Sequence, residues 1–276
     1  MVYLVPRSTD EALALLRDRR PAVAAGCTDI LPARRQGQPA GDILDVTRLP
    51  ELRGIAEGPQ GWRIGAAETW AGIAAAPLPP AFDALRQAAR EVGAVQIQNA
   101  GTIAGNICNA SPAADGVPPL LTLDAQVELA SASGRRRVPL ADFVLGPRRT
   151  ARATDELVLA LHVPAPAVAG KGVFLKLGAR AHLAISIVSV AVRCVTIGGI
   201  VTEITVAVGA CSPVPCRVPA VEAALTGAAV AGLAARVRPE DLAASLSPIG
   251  DIRAPADYRL SAVTELVRRA VERAAS

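Results

Sequence analysis

The chain has 276 residues, of which 51% are apolar and 20% charged, and its formal net charge is +4. This length gives room for two or three compact lobes, and this balance excludes a disordered chain. Aromatic residues make up only 3% of it, so the core is expected to consist of Ala, Val, Leu and Ile, and no apolar run approaches the roughly 20 residues that cross a bilayer.

The first stretch, MVYLVPRSTDEALALLRDRR, lacks the basic-then-apolar order of a secretory signal and reads as strand, turn and amphipathic helix. Ser8 is an N-cap candidate with Glu11 three residues on, the spacing of a capping box, so a helix over residues 8–20 follows. PAVAAGCTDIL is a short apolar strand entering a glycine turn, which completes a small α/β unit. Residues 42–67 alternate like strands with Gly-containing turns, and Thr69–Ala76 and Ala81–Val92 have helical spacing on either side of PLPP. Next comes QIQNAGTIAGNICNASPAADGVPPLLTLD, dense in Gly, Asn, Thr and Ser and without a single Lys, Arg or His.

AQVELAS and RRVPL flank the Gly134 turn as a hairpin, and DELVLALHVP is a further strand. Pro164–Gly172, rich in Pro, Ala and Gly, reads as a linker. After it, FLKLGAR, AISIVSVAVRCVTI and VTEITVAVGAC have the pattern of three antiparallel strands, with Gly198 and Gly199 in the second connection. PAVEAALTG, LAARV and YRLSAVTELVRRAVERAA are expected to be helical. The last has an apolar face of Leu260, Val263, Leu266, Val267 and Val271 opposite Arg268, Arg269 and Arg273.

Several chemistries find no support in these residues. His162 and His182 are the only histidines, and neither has metal-ligand spacing or the surroundings of a general base. Cys211 and Cys216 lack the further close cysteines of an iron–sulfur pattern. The five cysteines are scattered and odd in number, which favours reduced thiols and a cytoplasmic protein. G-x-S-x-G, G-x-x-x-x-G-K-[ST] and G-x-G-x-x-G are all absent. The basic clusters Arg135–Arg137 and Arg148–Arg149 have no interleaved aromatics, so they read as solvated loops or partner-facing patches and not as a nucleic-acid surface.

Two glycine-bearing pieces do point to a ligand. Ala25, Gly26, Cys27, Thr28 and Asp29 form one; Thr102, Ile103, Ala104, Gly105 and Asn106 form the other. Each can present successive backbone N–H groups in a concave turn, the arrangement that binds anions without a cation. Each alone also fits a plain tight turn at a strand end. Together, with Thr28, Thr102, Asn106 and Ser111 adding neutral hydrogen bonds, they fit a pyrophosphate cradle for a dinucleotide. Asp29 and Asp115 then suit a ribose or adenine, since a carboxylate accepts from hydroxyls and repels phosphate.

GTIAGNICNASPAADGVPPLLTLDAQVEL closely resembles the signature of the FAD-binding medium subunit of molybdenum hydroxylases, a family that includes carbon monoxide dehydrogenase medium subunits and xanthine dehydrogenase flavin modules. AAGCTDIL resembles that family's first flavin motif, and FLKLGARAHLAISIVSVAV resembles the opening of its C-terminal domain. The resemblance implies an α+β fold: a two-subdomain FAD-binding α/β region, residues 1–55 and 56–165, and a C-terminal three-stranded antiparallel sheet with helices, residues 172–276. It implies FAD on this chain, with Ala25–Asp29 and Thr102–Asn106 around the pyrophosphate, Asp115 at the adenosine portion and Lys176 near the flavin.

It further implies partners: a large molybdopterin subunit, a small subunit with two [2Fe–2S] clusters, and an external electron acceptor, in a dimer of heterotrimers with no nucleic acid and no membrane span. Electrons would pass from the clusters to FAD and out. Four departures stand out: Cys27 and Ala104 each replace a Gly, Gln98 replaces a frequent Arg, and HLAI replaces Y-D-I-A. A self-contained FAD-dependent oxidoreductase and a non-enzymatic assembly module that has lost FAD are the other readings.

Overall fold

The computed structural model describes residues 2–35, 41–181 and 183–276. Strand β1 (Tyr3–Leu4) leads into helix α1 (Thr9–Arg19), which begins as its sequence dictates. Ser8 Oγ accepts from the Glu11 N–H at 3.2 Å, and the Glu11 carboxylate accepts from the Arg7 N–H at 2.7 Å. β2 (Ala22–Ala24), α2 (Ile30–Arg35) and β3 (Ile43–Asp45) follow. The three strands form a small parallel sheet in the order β1-β3-β2, with Ala12, Leu13 and Leu16 of α1 buried against the core.

The middle region starts with the hairpin β4 (Ile55–Gly58) and β5 (Gly61–Gly65). A run of short helices comes next: α3 (Trp70–Ala75), α4 (Asp83–Glu91), α5 (Val95–Ala100), α6 (Ile103–Asn109) and α7 (Val117–Thr122). The chain then returns through β6 (Gln126–Ser131), β7 (Gly134–Pro139), α8 (Leu140–Phe143), β8 (Val144–Gly146), β9 (Arg149–Thr150) and β10 (Leu157–Pro164). The large sheet has the order β4-β5-β10-β6-β7, all antiparallel, so β10 sits at its centre and is buried over Leu157–Leu161. Residues 96–124 are therefore not a run of turns. They are mostly helical, because Ile103, Ile107, Leu120 and Leu121 need burial and the short helices supply it.

The stretch read as a linker is packed in place: Ala165–Val168 forms a 3₁₀ turn with Ala167 buried, and Lys171 already belongs to the next strand. β11 (Lys171–Gly178), β12 (Ser186–Ile197) and β13 (Ile200–Gly209) are the three long antiparallel strands of the C-terminal sheet. The two-residue β14 (Cys216–Arg217) adds a fourth at its edge. Helices α9 (Pro219–Leu225), α10 (Pro239–Ala243) and α11 (Ala256–Ala275) follow, and LAARV is a single 3₁₀ turn.

One face of this sheet, with Val188, Val190, Val192, Val206 and Val208, packs on Val263, Val267 and Val271 of α11. The other face meets the first lobe, where Phe174 and Ala191 lie against Ala84 and Ala88 of α4. Arg193, fully buried on that side, donates to Thr122 O at 2.8 Å, where Thr205 Oγ1 also donates at 3.0 Å. The last carbonyl of α7 is thereby satisfied from the other lobe.

Candidate functional site

β2 ends at Ala24, and the chain turns through Ala25–Asp29 toward α2. Cys27 lies in the left-handed region at φ 59°, a conformation that costs a side-chain-bearing residue on the order of 1–2 kcal/mol. The turn leaves its amides unpartnered: among the described residues, the backbone N–H groups of Gly26, Cys27, Thr28 and Asp29 donate to no protein acceptor. Gly26 has a different reason to be glycine. A Cβ there would stand 2.0 Å from Ala100 O and 2.7 Å from Gly101 Cα, so the two glycine-bearing pieces touch backbone to backbone.

On the second piece, Thr102 caps α6 by accepting from the Gly105 N–H at 3.1 Å. Ile103 and Ile107 turn into the core, while Ala104, Gly105 and Asn106 face the first piece across a cleft of about 560 Å³. Ala104 is helical with negative φ, so its replacement of a glycine costs the backbone nothing. The cleft floor is apolar, with Val23, Val46, Ala66, Leu157 and Val158, and Trp70 closes one side. Asn106 Oδ1 is buried behind this wall and, among the described residues, has no hydrogen-bond partner. Gly116 backs it: a Cβ on Gly116 would meet Trp70 Cη2 at 2.3 Å and Asn106 Oδ1 at 2.9 Å.

Two thiols line the cleft. Burial first, and the Asp45 carboxylate second, push the Cys27 thiol up; burial pushes Cys108 up to about 11 against the opposing pull of Arg152. Both are neutral at ordinary pH and poor nucleophiles. The cations absent from residues 96–124 arrive from elsewhere. Arg148 and Arg152, after the β8 strand, line the cleft together with Glu156. The sequence pattern carried no sign that they line a cleft; Arg148, which reads as a solvated or partner-facing residue, is exposed as well as cleft-lining. Trp70 on α3 and the β10 residues Leu157 and Val158 were likewise unmarked as site residues; the latter two reach the cleft through the sheet order.

The expected residues thus divide. Ala25, Gly26, Cys27, Thr28, Asp29, Thr102, Ala104, Gly105 and Asn106 come together on one cleft. Ile103 is fully buried behind it, and Ser111 Oγ accepts from the Ala113 N–H at 3.3 Å and does not line it. Asp115 and Lys176 do not line it either: they pair with each other at 2.7 Å, buried between the lobes, and Ser186 donates to the same carboxylate. Burial pushes the Asp115 pKa up, opposed by Lys176 and Ser186. Gln98 Nε2 donates to Arg90 O at 2.8 Å, outside the cleft lining. His162 pairs with Glu128 at 2.6 Å across the large sheet, and His182 lies outside the described residues.

Residues 1–166 match the family described as the FAD binding domain in molybdopterin dehydrogenase, and residues 174–274 match the CO dehydrogenase flavoprotein C-terminal domain. The chain belongs to the FAD-binding medium subunits of the molybdenum hydroxylase family. It is 32% identical over 274 residues to the nicotine 6-hydroxylase medium subunit of Paenarthrobacter nicotinovorans, covering 98% of this chain and 95% of that one. It is 30% identical over 269 residues to the xanthine dehydrogenase FAD-binding subunit of Escherichia coli O157:H7, covering 96% and 92%. Reconstituted CO dehydrogenase from Oligotropha carboxidovorans contains a chain that superposes with a TM-score of 0.93 at 26% identity, over 100% of this chain and 97% of that one.

The cleft of this FAD-binding subunit fits its cofactor. The unpartnered amides of Gly26–Asp29 suit the pyrophosphate. The apolar floor suits the ring systems, and the cleft volume lies within the usual range for small-molecule and cofactor sites.

Proposed function

We propose that this chain is the electron-transfer subunit of a molybdenum-containing hydroxylase. It receives electrons from the [2Fe–2S] clusters of a small partner subunit and delivers them to an external acceptor. A large molybdopterin subunit oxidises the substrate, and the complex is a dimer of such heterotrimers in the cytoplasm, where its five unpaired cysteines are at home. On this reading residues 1–55 and 56–165 are the two cofactor-binding subdomains and 172–276 the C-terminal lobe. Bound FAD supplies the redox exchange; the residues of this chain supply position and electrostatics. Gly26–Asp29 hold the pyrophosphate by their amides, the wall of Thr102–Asn106 faces it, and Trp70 with the apolar floor keeps water from the rings. The hydroxylated substrate is chosen on another chain, which is why relatives of this subunit are named for xanthine and for nicotine.

The observation that carries the reading is the meeting of two sequence-distant glycine segments, through Gly26 and Ala100, around one cleft with unpartnered amides. The purified chain is expected to hold FAD that dithionite bleaches, and to leave xanthine, nicotine, aldehydes and carbon monoxide untouched. Substrate turnover by the isolated chain would reject an electron-transfer role. Asn106→Asp places a carboxylate beside the cofactor phosphates and is expected to weaken FAD binding by about tenfold. Unchanged flavin content in that variant would count against this placement of the cofactor.

A further inference from the structure

Two guanidinium groups in the cleft are left without a carboxylate. Arg136, Arg193, Arg217, Arg238 and Arg259 each pair with an Asp or Glu; among the described residues, Arg148 and Arg152 pair with none. Glu156 stands beside Arg152 but is already taken. Arg136 holds its two carboxylate oxygens at 2.6 and 2.8 Å, and the Ala153 N–H reaches it at 2.7 Å. Arg152 Nη1 donates to the carbonyls of Glu156 at 2.7 Å and Ala153 at 3.0 Å, and Arg148 Nη1 to Asn109 O at 3.3 Å. For both side chains, Nε and Nη2 find no acceptor among the described residues.

Their placement is built. Arg148 sits at φ 60°, rarely adopted by a side-chain-bearing residue, and its N–H is held by Ala110 O at 2.9 Å, just past the end of α6. That locks one arginine against the last turn of the helix that forms the second wall. Arg152 is half-buried and close enough to Cys108 and Glu156 for its charge to act on both. Arg148 is exposed at the cleft mouth while Arg152 is partly desolvated; an arginine has five N–H donors in a planar fork, and one without a counter-ion favours an oxyanion ligand. The remaining acids of the cleft do not supply that anion: Glu156 is engaged, and Asp29 lies on the first wall beside Thr28.

Resting on the FAD reading above, we infer that Arg148 and Arg152 are the cationic half of the phosphate site. They take the pyrophosphate charge that the neutral amides of Gly26–Asp29 only partly offset, and so set the preference of this chain for FAD over unphosphorylated flavin.

The test titrates the full-length, flavin-free chain with FAD and with riboflavin, following the quenching of flavin fluorescence. Arg148→Gln and Arg152→Gln are each expected to weaken FAD binding about tenfold and to leave riboflavin binding unchanged. Raising salt is expected to weaken FAD binding to the wild type and to have much less effect on the double variant, since screening acts only on charges that are present. An unchanged FAD-to-riboflavin preference in the variants overturns the inference, as does an equal loss of both ligands, which marks a structural role. If circular dichroism shows that a variant has not folded, the wild-type salt series decides: FAD affinity that is flat with salt overturns the proposal. A wild-type chain that binds neither flavin overturns the FAD reading itself. FAD binding with unaffected arginine variants overturns this inference alone.

Discussion

Gly26 and Cys27 are neighbours with opposite requirements. Gly26 has ordinary backbone torsions, yet any Cβ there would drive into Ala100 O at 2.0 Å. Gly26→Ala is therefore expected to cost about 2–3 kcal/mol by overpacking and to release FAD, because it pushes the two walls of the cleft apart. Cys27 has room for its side chain but sits at φ 59°. Cys27→Gly removes the left-handed strain, and part of that gain is lost to the greater freedom of glycine in the unfolded chain; the net is about 0.5 kcal/mol of stabilisation. Thermal melts of the two variants, with flavin content alongside, check both signs at once. The sequence marked the two residues as one motif. It did not show which glycine serves packing and which position serves conformation, since that depends on a backbone 74 residues away.

At the scale of elements, alternation and capping were legible and tertiary helices were not. Ser8 with Glu11 announced α1, and period-2 runs announced β6, β10, β12 and β13, because these signals are local. α6 holds one glycine and two asparagines among its seven residues, so its propensity argues against a helix. It forms because Thr102 caps it and Ile103 and Ile107, one turn apart, are fully buried. The start of α11 hides a similar device. Arg259, buried within it, donates to Ile187 O at 2.6 Å, Ala210 O at 2.7 Å and the Asp251 carboxylate at 2.7 Å. Burial pushes the Asp251 pKa up, but the Arg253 N–H, the Arg253 side chain and Arg259 outweigh it and hold the carboxyl at about 2. A carboxyl depressed in the folded state adds stability above its ordinary pKa, and that stability is lost as pH falls toward 2. Asp251→Asn is expected to flatten the acid limb of a urea-midpoint curve between about pH 4 and pH 2. An acid limb as steep as that of the wild type would show that the carboxylate does not anchor α11.

For the whole molecule, the texture changes near residue 170, where the C-terminal sheet begins, but sequence order could not reveal how that sheet meets the rest. β10 enters the middle of the large sheet late in the chain, carrying Leu157 and Val158 to the cleft floor, and the C-terminal sheet presses its second face on α4 and α7. Asp115 and Lys176 show what this packing does to a sequence expectation. Apart in the chain by 61 residues, they meet at 2.7 Å with the Asp115 and Lys176 side chains only 7% and 10% exposed, and Lys176 also donates to Glu91 O at 3.3 Å. The pair thus joins residues on either side of the boundary between the lobes. Removing one partner strands a buried charge, so Asp115→Ala is expected to cost about 3 kcal/mol. Exchanging both, Asp115→Ala with Lys176→Met, removes the stranded ammonium and is expected to recover most of that loss. Urea unfolding of the two single variants and the double variant gives the coupling energy directly. A coupling near zero, with FAD affinity falling equally in Asp115→Ala and in the double variant, would instead assign the carboxylate to the cofactor. A large coupling with FAD affinity restored in the double variant identifies the pair as the clasp that holds the C-terminal lobe against the cofactor-binding half.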